Sequence, residues 1–99
     1  MKRSFYSDTI ISFKITQPNA IIGDMALSSG YSDDPLQKDA WLEEIRILKD
    51  VLDPYNGSIY FEYSIPRMGQ RIDVVLIIDQ IIFVLEFKVG ETGFTTYAI

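Results

Sequence analysis

The chain has 99 residues, with 14 acidic against 9 basic side chains and a formal net charge of −5, and it contains neither cysteine nor histidine. That length suits one small domain, and that charge argues against a protein that coats nucleic acid by electrostatics alone. Missing cysteine and histidine exclude disulfides, thiolate zinc, cysteine nucleophiles and Ser-His-Asp chemistry, so any catalysis must run on carboxylates, lysine, tyrosine or an oxygen-ligated magnesium, manganese or calcium ion.

Apolar residues make up 47% and charged residues 23%, the balance of a folded chain rather than a disordered one. The start, Met1 to Asp8, leads into no long apolar core, so no signal peptide is expected. The apolar runs Val74 to Ile78 and Ile81 to Leu85 are far shorter than the ~20 residues of a membrane span. These features fit a soluble, cytoplasmic protein with no membrane partner.

In chain order, Asp8 is placed to cap a short helix carrying Ile10, Ile11, Phe13 and Ile15 and ended by Pro18, although Thr9 to Thr16 also alternates passably as a strand. Residues 19 to 36 are punctuated by Gly23, Gly30 and Pro35 and read as an irregular connector, with at most one turn around Asp24 to Leu27. A firm helix follows from Pro35 to Leu52. Asp34 caps it, Pro35 suits its first position, and Trp41, Ile45, Leu48 and Leu52 form its apolar stripe. After Gly57 the period changes to two, with Ile59, Phe61 and Tyr63 alternating against Tyr60, Glu62 and Ser64. Pro66 to Gln70 turns the chain into two oily strands, Arg71 to Ile78 and Ile81 to Val89, joined by Asp79-Gln80. Phe94, Tyr97 and Ala98 are spaced like the start of another helix. The expected class is α+β, with helices packed on a three-strand, mainly antiparallel sheet. The division is residues 1–36, an N-terminal helix and connector, and residues 37–99, a helix and three strands, in one domain.

A two-residue loop at Asp79-Gln80 pairs residues whose numbers sum to 159. Asp73 then lies across from Glu86, and Arg71 across from Lys88, all on one face. Opposed carboxylates repel, so the pair requires a cation, neutralisation by Arg71 and Lys88, or a retained proton. The first reading is a metal site. The second is a surface charge lattice worth ~0–1 kcal/mol per pair. Glu62, on the first strand, is a further candidate for the same cleft, weighed against an ordinary outward residue, whereas Glu44, beside the apolar stripe, reads from its position as exposed helix charge. Arg67 and Arg71 are candidate phosphate contacts, and Tyr60, Phe61 and Tyr63 are weighed as base-stacking residues against core packing.

Arg71-Ile72-Asp73 followed by Glu86-Phe87-Lys88 resembles the Asp…Glu-x-Lys signature of the PD-(D/E)XK nuclease superfamily, whose core also runs helix then strands. More narrowly, the run from Phe61 to Leu76 with Ile-Pro-Arg-Met-Gly inside it, and the run from Phe83 to Glu91, are similar to the N-terminal region of DUF2075 proteins. Those are bacterial helicase-like proteins with a nuclease-like region ahead of a P-loop ATPase. The resemblance covers about residues 37 to 99.

That resemblance implies a truncated restriction-endonuclease-like core, lacking a C-terminal helix and strand. It implies Mg²⁺ or Mn²⁺ held by Asp73, Glu86 and the backbone carbonyl of Phe87, with Lys88 orienting a water or stabilising the phosphate, and Glu44, Glu62 and Arg71 as possible additions. The implied activity is hydrolysis of nucleic-acid phosphodiesters, DNA ahead of RNA, in the intact protein, with this short chain expected to be weak or silent. The alternative is a non-catalytic module for nucleic-acid docking or self-assembly, associating through an uncovered sheet edge or face. No Gly-x-x-x-x-Gly-Lys occurs, so no ATP hydrolysis is assigned.

Overall fold

The computed structural model describes residues 3–30 and 35–88. In chain order these form β1 Tyr6–Thr9, α1 Ile10–Ile15, α2 Pro18–Ser29, α3 Pro35–Val51, β2 Ser58–Ile65, β3 Gln70–Ile78 and β4 Ile81–Leu85. The class is α+β as expected, but the sheet has four antiparallel strands, not three, in the order β1-β2-β3-β4. The added strand, β1, is four residues long and buries only Tyr6 well, so it carries too little alternation to stand out in sequence. Main-chain pairing secures it instead. Tyr6 to Thr9 pair with Phe61 to Ser58, and Phe5 N–H donates to the Phe61 carbonyl at 2.9 Å.

The N-terminal helix is present but capped differently. Thr9 Oγ1 accepts the Ser12 N–H at 3.1 Å, while Asp8 stays in β1 and accepts the Tyr6 hydroxyl at 2.7 Å. Residues 18 to 29 are not a connector. They form a twelve-residue helix that opens with Pro18 in its first turn and buries Ile21, Met25 and Ala26. Gly23 is tolerated at an exposed position, and Gly30, at φ +73°, supplies the left-handed residue that ends the helix. Helix α3 matches expectation closely, with Trp41, Ile45 and Leu48 buried and Leu52 N–H still bonding back to the Leu48 carbonyl. Its expected Asp34 cap, and the helix-like tail at Phe94 to Ala98, lie outside the described residues.

Trp41, Ile45 and Leu48 meet Ile10, Phe13, Ile21 and Met25 from the other helices and Ile59, Phe61 and Val74 from one sheet face. Lys49 ties α3 to α1. Its ammonium donates to the Phe13 carbonyl at 2.5 Å and the Thr16 carbonyl at 2.6 Å, and sits 4.6 Å from the Phe13 ring centre. The carbonyls at the C-terminal end of α1 thereby gain a charged partner. No helix among the described residues is long and apolar enough to cross a membrane.

The β3–β4 hairpin forms in the expected register, from Ile78 opposite Ile81 to Val74 opposite Leu85. Asp79 and Gln80 both take positive φ, +52° and +67°, the backbone of a two-residue turn matched to strand twist. At the start of β2, Gly57 is obligatory. Its φ is +147°, and a Cβ there would lie 2.0 Å from the Ile77 carbonyl oxygen. Gly57→Ala is therefore expected to lower the unfolding free energy by about 2 kcal/mol or more in urea titration. Lys49→Met keeps the stem but strips the charge-assisted bonds, and is expected to cost about 1.5–3 kcal/mol by the same measurement.

Candidate metal centre

Strict alternation along β2 and β3 would place Tyr60 and Tyr63 on opposite faces, and likewise Ile72 and Val75. All four line the same groove, on the sheet face away from the helices, and the two tyrosine rings meet edge-on at 6.0 Å. The break lies between them. Ladder pairing runs from Ser58–Ile77 to Phe61–Val74, skips Glu62 and Asp73, and resumes at Tyr63–Ile72 in unchanged register. Glu62 has φ +52°, a left-handed conformation uncommon for any residue with a Cβ.

The consequence is that consecutive residues share the helix-covered side. Phe61 and Val74 are fully buried in the core, and Glu62 and Asp73 come to the same side. There the Trp41 indole N–H donates to Glu62 Oε1 at 3.3 Å. Glu44 projects from α3 into this space and is only 6% exposed. Its place three residues after Trp41 and four before Leu48 puts it on the buried stripe, so the exposed-charge reading is corrected. Glu62 is half-buried as well, and not an ordinary outward residue.

Burial pushes the Glu44 carboxyl from 4.5 up to about 8, with Asp73 and then Glu62 adding repulsion. Burial also raises Glu62, an effect opposed by the Trp41 hydrogen bond and increased by Asp73. Asp73 is raised by burial and by Glu86, against the lowering effect of the Phe87 N–H. These carboxyls sense one another.

The two residues beyond β4 arrive differently from the expected ladder. Pairing stops at Val74–Leu85, so neither Asp73–Glu86 nor Arg71–Lys88 is a ladder pair. Instead Phe87 N–H donates to Asp73 Oδ2 at 2.8 Å, a side-chain oxygen taking the place of a backbone acceptor. Phe87 packs against the core, while Glu86 and Lys88 are exposed. The charge lattice is not formed. Among the described residues the one ion pair is Arg46 with Glu43, on the outer side of α3. Arg71 stacks its guanidinium 4.5 Å from the Phe5 ring centre, and Phe5 in turn meets Trp41 edge-on. Arg67 is exposed in the β2–β3 turn.

Among the described residues no three carboxylates converge tightly enough to hold a metal ion by themselves. The donor chemistry nonetheless suits a hard divalent cation, since every candidate ligand is an oxygen and the charges nearest Glu44 are both carboxylates. Tyr60 and Tyr63 lie on the outer face, so core packing accounts for Phe61 alone of that trio.

The raised Glu44 pKa fixes the sign of a pH effect. The folded state holds the proton more tightly than the unfolded chain, so the stability gained is complete below about pH 4.5 and is lost as pH rises through about 8. With divalent cations chelated, unfolding free energy should fall by a few kcal/mol between about pH 5 and pH 8.5. In Glu44→Gln, which cannot ionise, most of that slope should vanish; an unchanged slope would place its origin elsewhere.

Comparison with models of protein families, with curated proteins and with solved structures gave no match.

Proposed function

We propose that this domain is nuclease-like, with a divalent-metal site at Asp73 and Glu86 serving hydrolysis of nucleic-acid phosphodiesters in the intact protein. The observation that carries the reading is the collection of Asp73, Glu62 and Glu44 on the helix-covered face by a break in strand alternation. Gathering carboxyls in a half-buried space costs free energy through desolvation and like-charge repulsion. A bound cation offsets both. The resemblance of Asp73…Glu86-Phe87-Lys88 to the PD-(D/E)XK signature rests on those residues and points to the same chemistry.

In this reading Asp73, Glu86 and the Phe87 carbonyl would hold Mg²⁺ or Mn²⁺, and Glu44 lies close enough to Asp73 for their charges to couple. Bound there, the ion would supply charge neutralisation at the phosphate and acidify a water. Lys88 would orient that water or meet the phosphate, and Arg71, fixed against Phe5, would hold a cationic charge near the cleft. Phe87 N–H orients Asp73 through its hydrogen bond, and Trp41 orients Glu62.

The rival reading, a non-catalytic docking or self-assembly module, draws on the exposed positions of Glu86 and Lys88 beyond the end of β4. Mn²⁺ titration of ¹⁵N-labelled protein separates the two without requiring turnover. Under the metal-site reading, broadening is confined to Asp73, Glu86, Phe87, Lys88 and Glu44 and disappears in Asp73→Asn. The intact protein then cleaves DNA in Mg²⁺ or Mn²⁺, and Asp73→Asn reduces the rate by at least about a hundredfold. Broadening spread over exposed acids, and indifferent to Asp73→Asn, would sink the metal site and leave docking or assembly.

A further inference from the structure

The chain has two asparagines, Asn19 and Asn56, and they differ in the atom that governs the chemistry of a side-chain amide. An asparagine amide is lost when the main-chain nitrogen of the next residue attacks its Cγ, so that nitrogen must be unbonded and sterically open. Asn19 lies in α2 and is followed by Ala20, whose N–H donates to the Gln17 carbonyl at 3.0 Å. Asn56 is followed by Gly57, whose N–H has no acceptor among the described residues and which has no Cβ to crowd the approach. Asn56 itself is exposed, lies outside helix and strand, and its side chain makes no hydrogen bond among the described residues.

Gly57 is also a joint of the fold. Residues 52 to 57 link α3 to β2, and where they end the Gly57 carbonyl accepts the N–H of Ile10, the first residue of α1, at 2.8 Å. Ile77 packs so close that a Cβ on Gly57 would lie 2.0 Å from its carbonyl oxygen. On the other side, Tyr55 N–H donates to the Leu52 carbonyl at 2.9 Å. Hydrogen bonds therefore hold the chain at Tyr55 and from the Gly57 carbonyl onward, and leave the Asn56 side chain and the Gly57 N–H between them unheld.

We propose that Asn56 is a modification site, converting in the folded chain to aspartate and isoaspartate through a succinimide, and that the isoaspartyl form releases α1 from β2. The Gly57 nitrogen bonds to Asn56 Cγ and the Cγ–Nδ2 bond breaks. The proton of the Gly57 N–H passes through water to the departing nitrogen, which leaves as ammonia. Water then opens the ring at one of its two carbonyls. Attack at Cγ breaks the new bond and leaves an ordinary aspartate. Attack at the main-chain carbonyl breaks the original peptide bond, so the chain runs through Cβ and Cγ and gains one carbon. Either product adds one negative charge to a chain of net charge −5. Only isoaspartate lengthens the main chain, and it does so directly before a glycine with no space against Ile77 and a bond to Ile10 to keep. The inference is independent of the metal site.

Peptide mass mapping of the full chain, incubated at about pH 7.4 and 37 °C both folded and in urea, tests the chemistry. The expected result is loss of ammonia at Asn56 in the folded chain at a rate within about tenfold of that in urea, with Asn19 intact while the chain is folded. A slower folded-state rate at Asn56, or one that follows global unfolding, would overturn the proposal. The isoaspartyl chain, separated by ion exchange, is then compared with Asn56→Asp, which has the same charge on an ordinary backbone. Hydrogen exchange at the Ile10 amide should be at least about tenfold faster in the isoaspartyl chain and unchanged in Asn56→Asp. Equal protection of Ile10 in the two would overturn the release of α1.

Discussion

A glutamate held at φ +52° in the middle of a strand is the constraint on which the concave side of this domain depends. A left-handed conformation costs roughly 1–2 kcal/mol for a residue with a Cβ. Several interactions hold it in place. Ladder pairing resumes in register on both sides, so the sheet tolerates no relaxation that would shift Tyr63 or Phe61. The Trp41 indole holds the Glu62 carboxylate from above, and Phe61 next to it is wholly buried. Because Asp73 is the residue skipped opposite, the distortion turns both acids together. A regular pair at this point would send Glu62 and Asp73 to the outer face, away from Glu44.

The same break separates the two faces chemically. The helix-covered side holds three interacting carboxyls, whose burial raises each pKa, while no carboxylate lines the outer groove. Arg71 could have neutralised this cluster but is drawn into a stack on Phe5, which itself leans on Trp41. Its charge lowers Glu62 without forming an ion pair. The cluster is thus left under-compensated by the described residues, and it is on these perturbed carboxyls that the proposed metal site rests.

Strong periodicity and local turn chemistry made parts of this fold legible in sequence. Helix α3 follows from a Pro35 start and the Trp41–Ile45–Leu48–Leu52 stripe, and the hairpin register follows from the length of the Asp79-Gln80 loop. Helix α2 was hidden because Gly23 sits within it, its apolar residues form no clean stripe, and its first turn lacks a side-chain cap. Tertiary contact through Ile21 and Met25 makes it a helix where propensity does not. Strand β1 was hidden because four residues, pairing on one side, need no alternation. Glu44 was readable: positions 41, 44, 45 and 48 form one helical face, and an acid on that face is an anomaly to be explained rather than a solvated charge. Glu62 was not readable. Nothing in Phe-Glu-Tyr announces a left-handed residue, and period-two reasoning assigns it to the wrong face.

The bond from Phe87 N–H to Asp73 Oδ2 joins these threads. Where β4 stops, the chain loses its ladder acceptor, and an aspartate turned by the opposite distortion supplies one. A carboxylate has acceptor capacity on both oxygens, so an N–H at one of them is compatible with a cation at the other. The hydrogen bond fixes the Glu86–Phe87 peptide, one residue short of Lys88, to the Asp73 side chain. Asp73 is therefore both a structural acceptor and the residue on which the proposed chemistry centres. Replacing it with asparagine preserves an acceptor oxygen for Phe87 while removing the charge, which is why that substitution separates loss of metal from loss of fold.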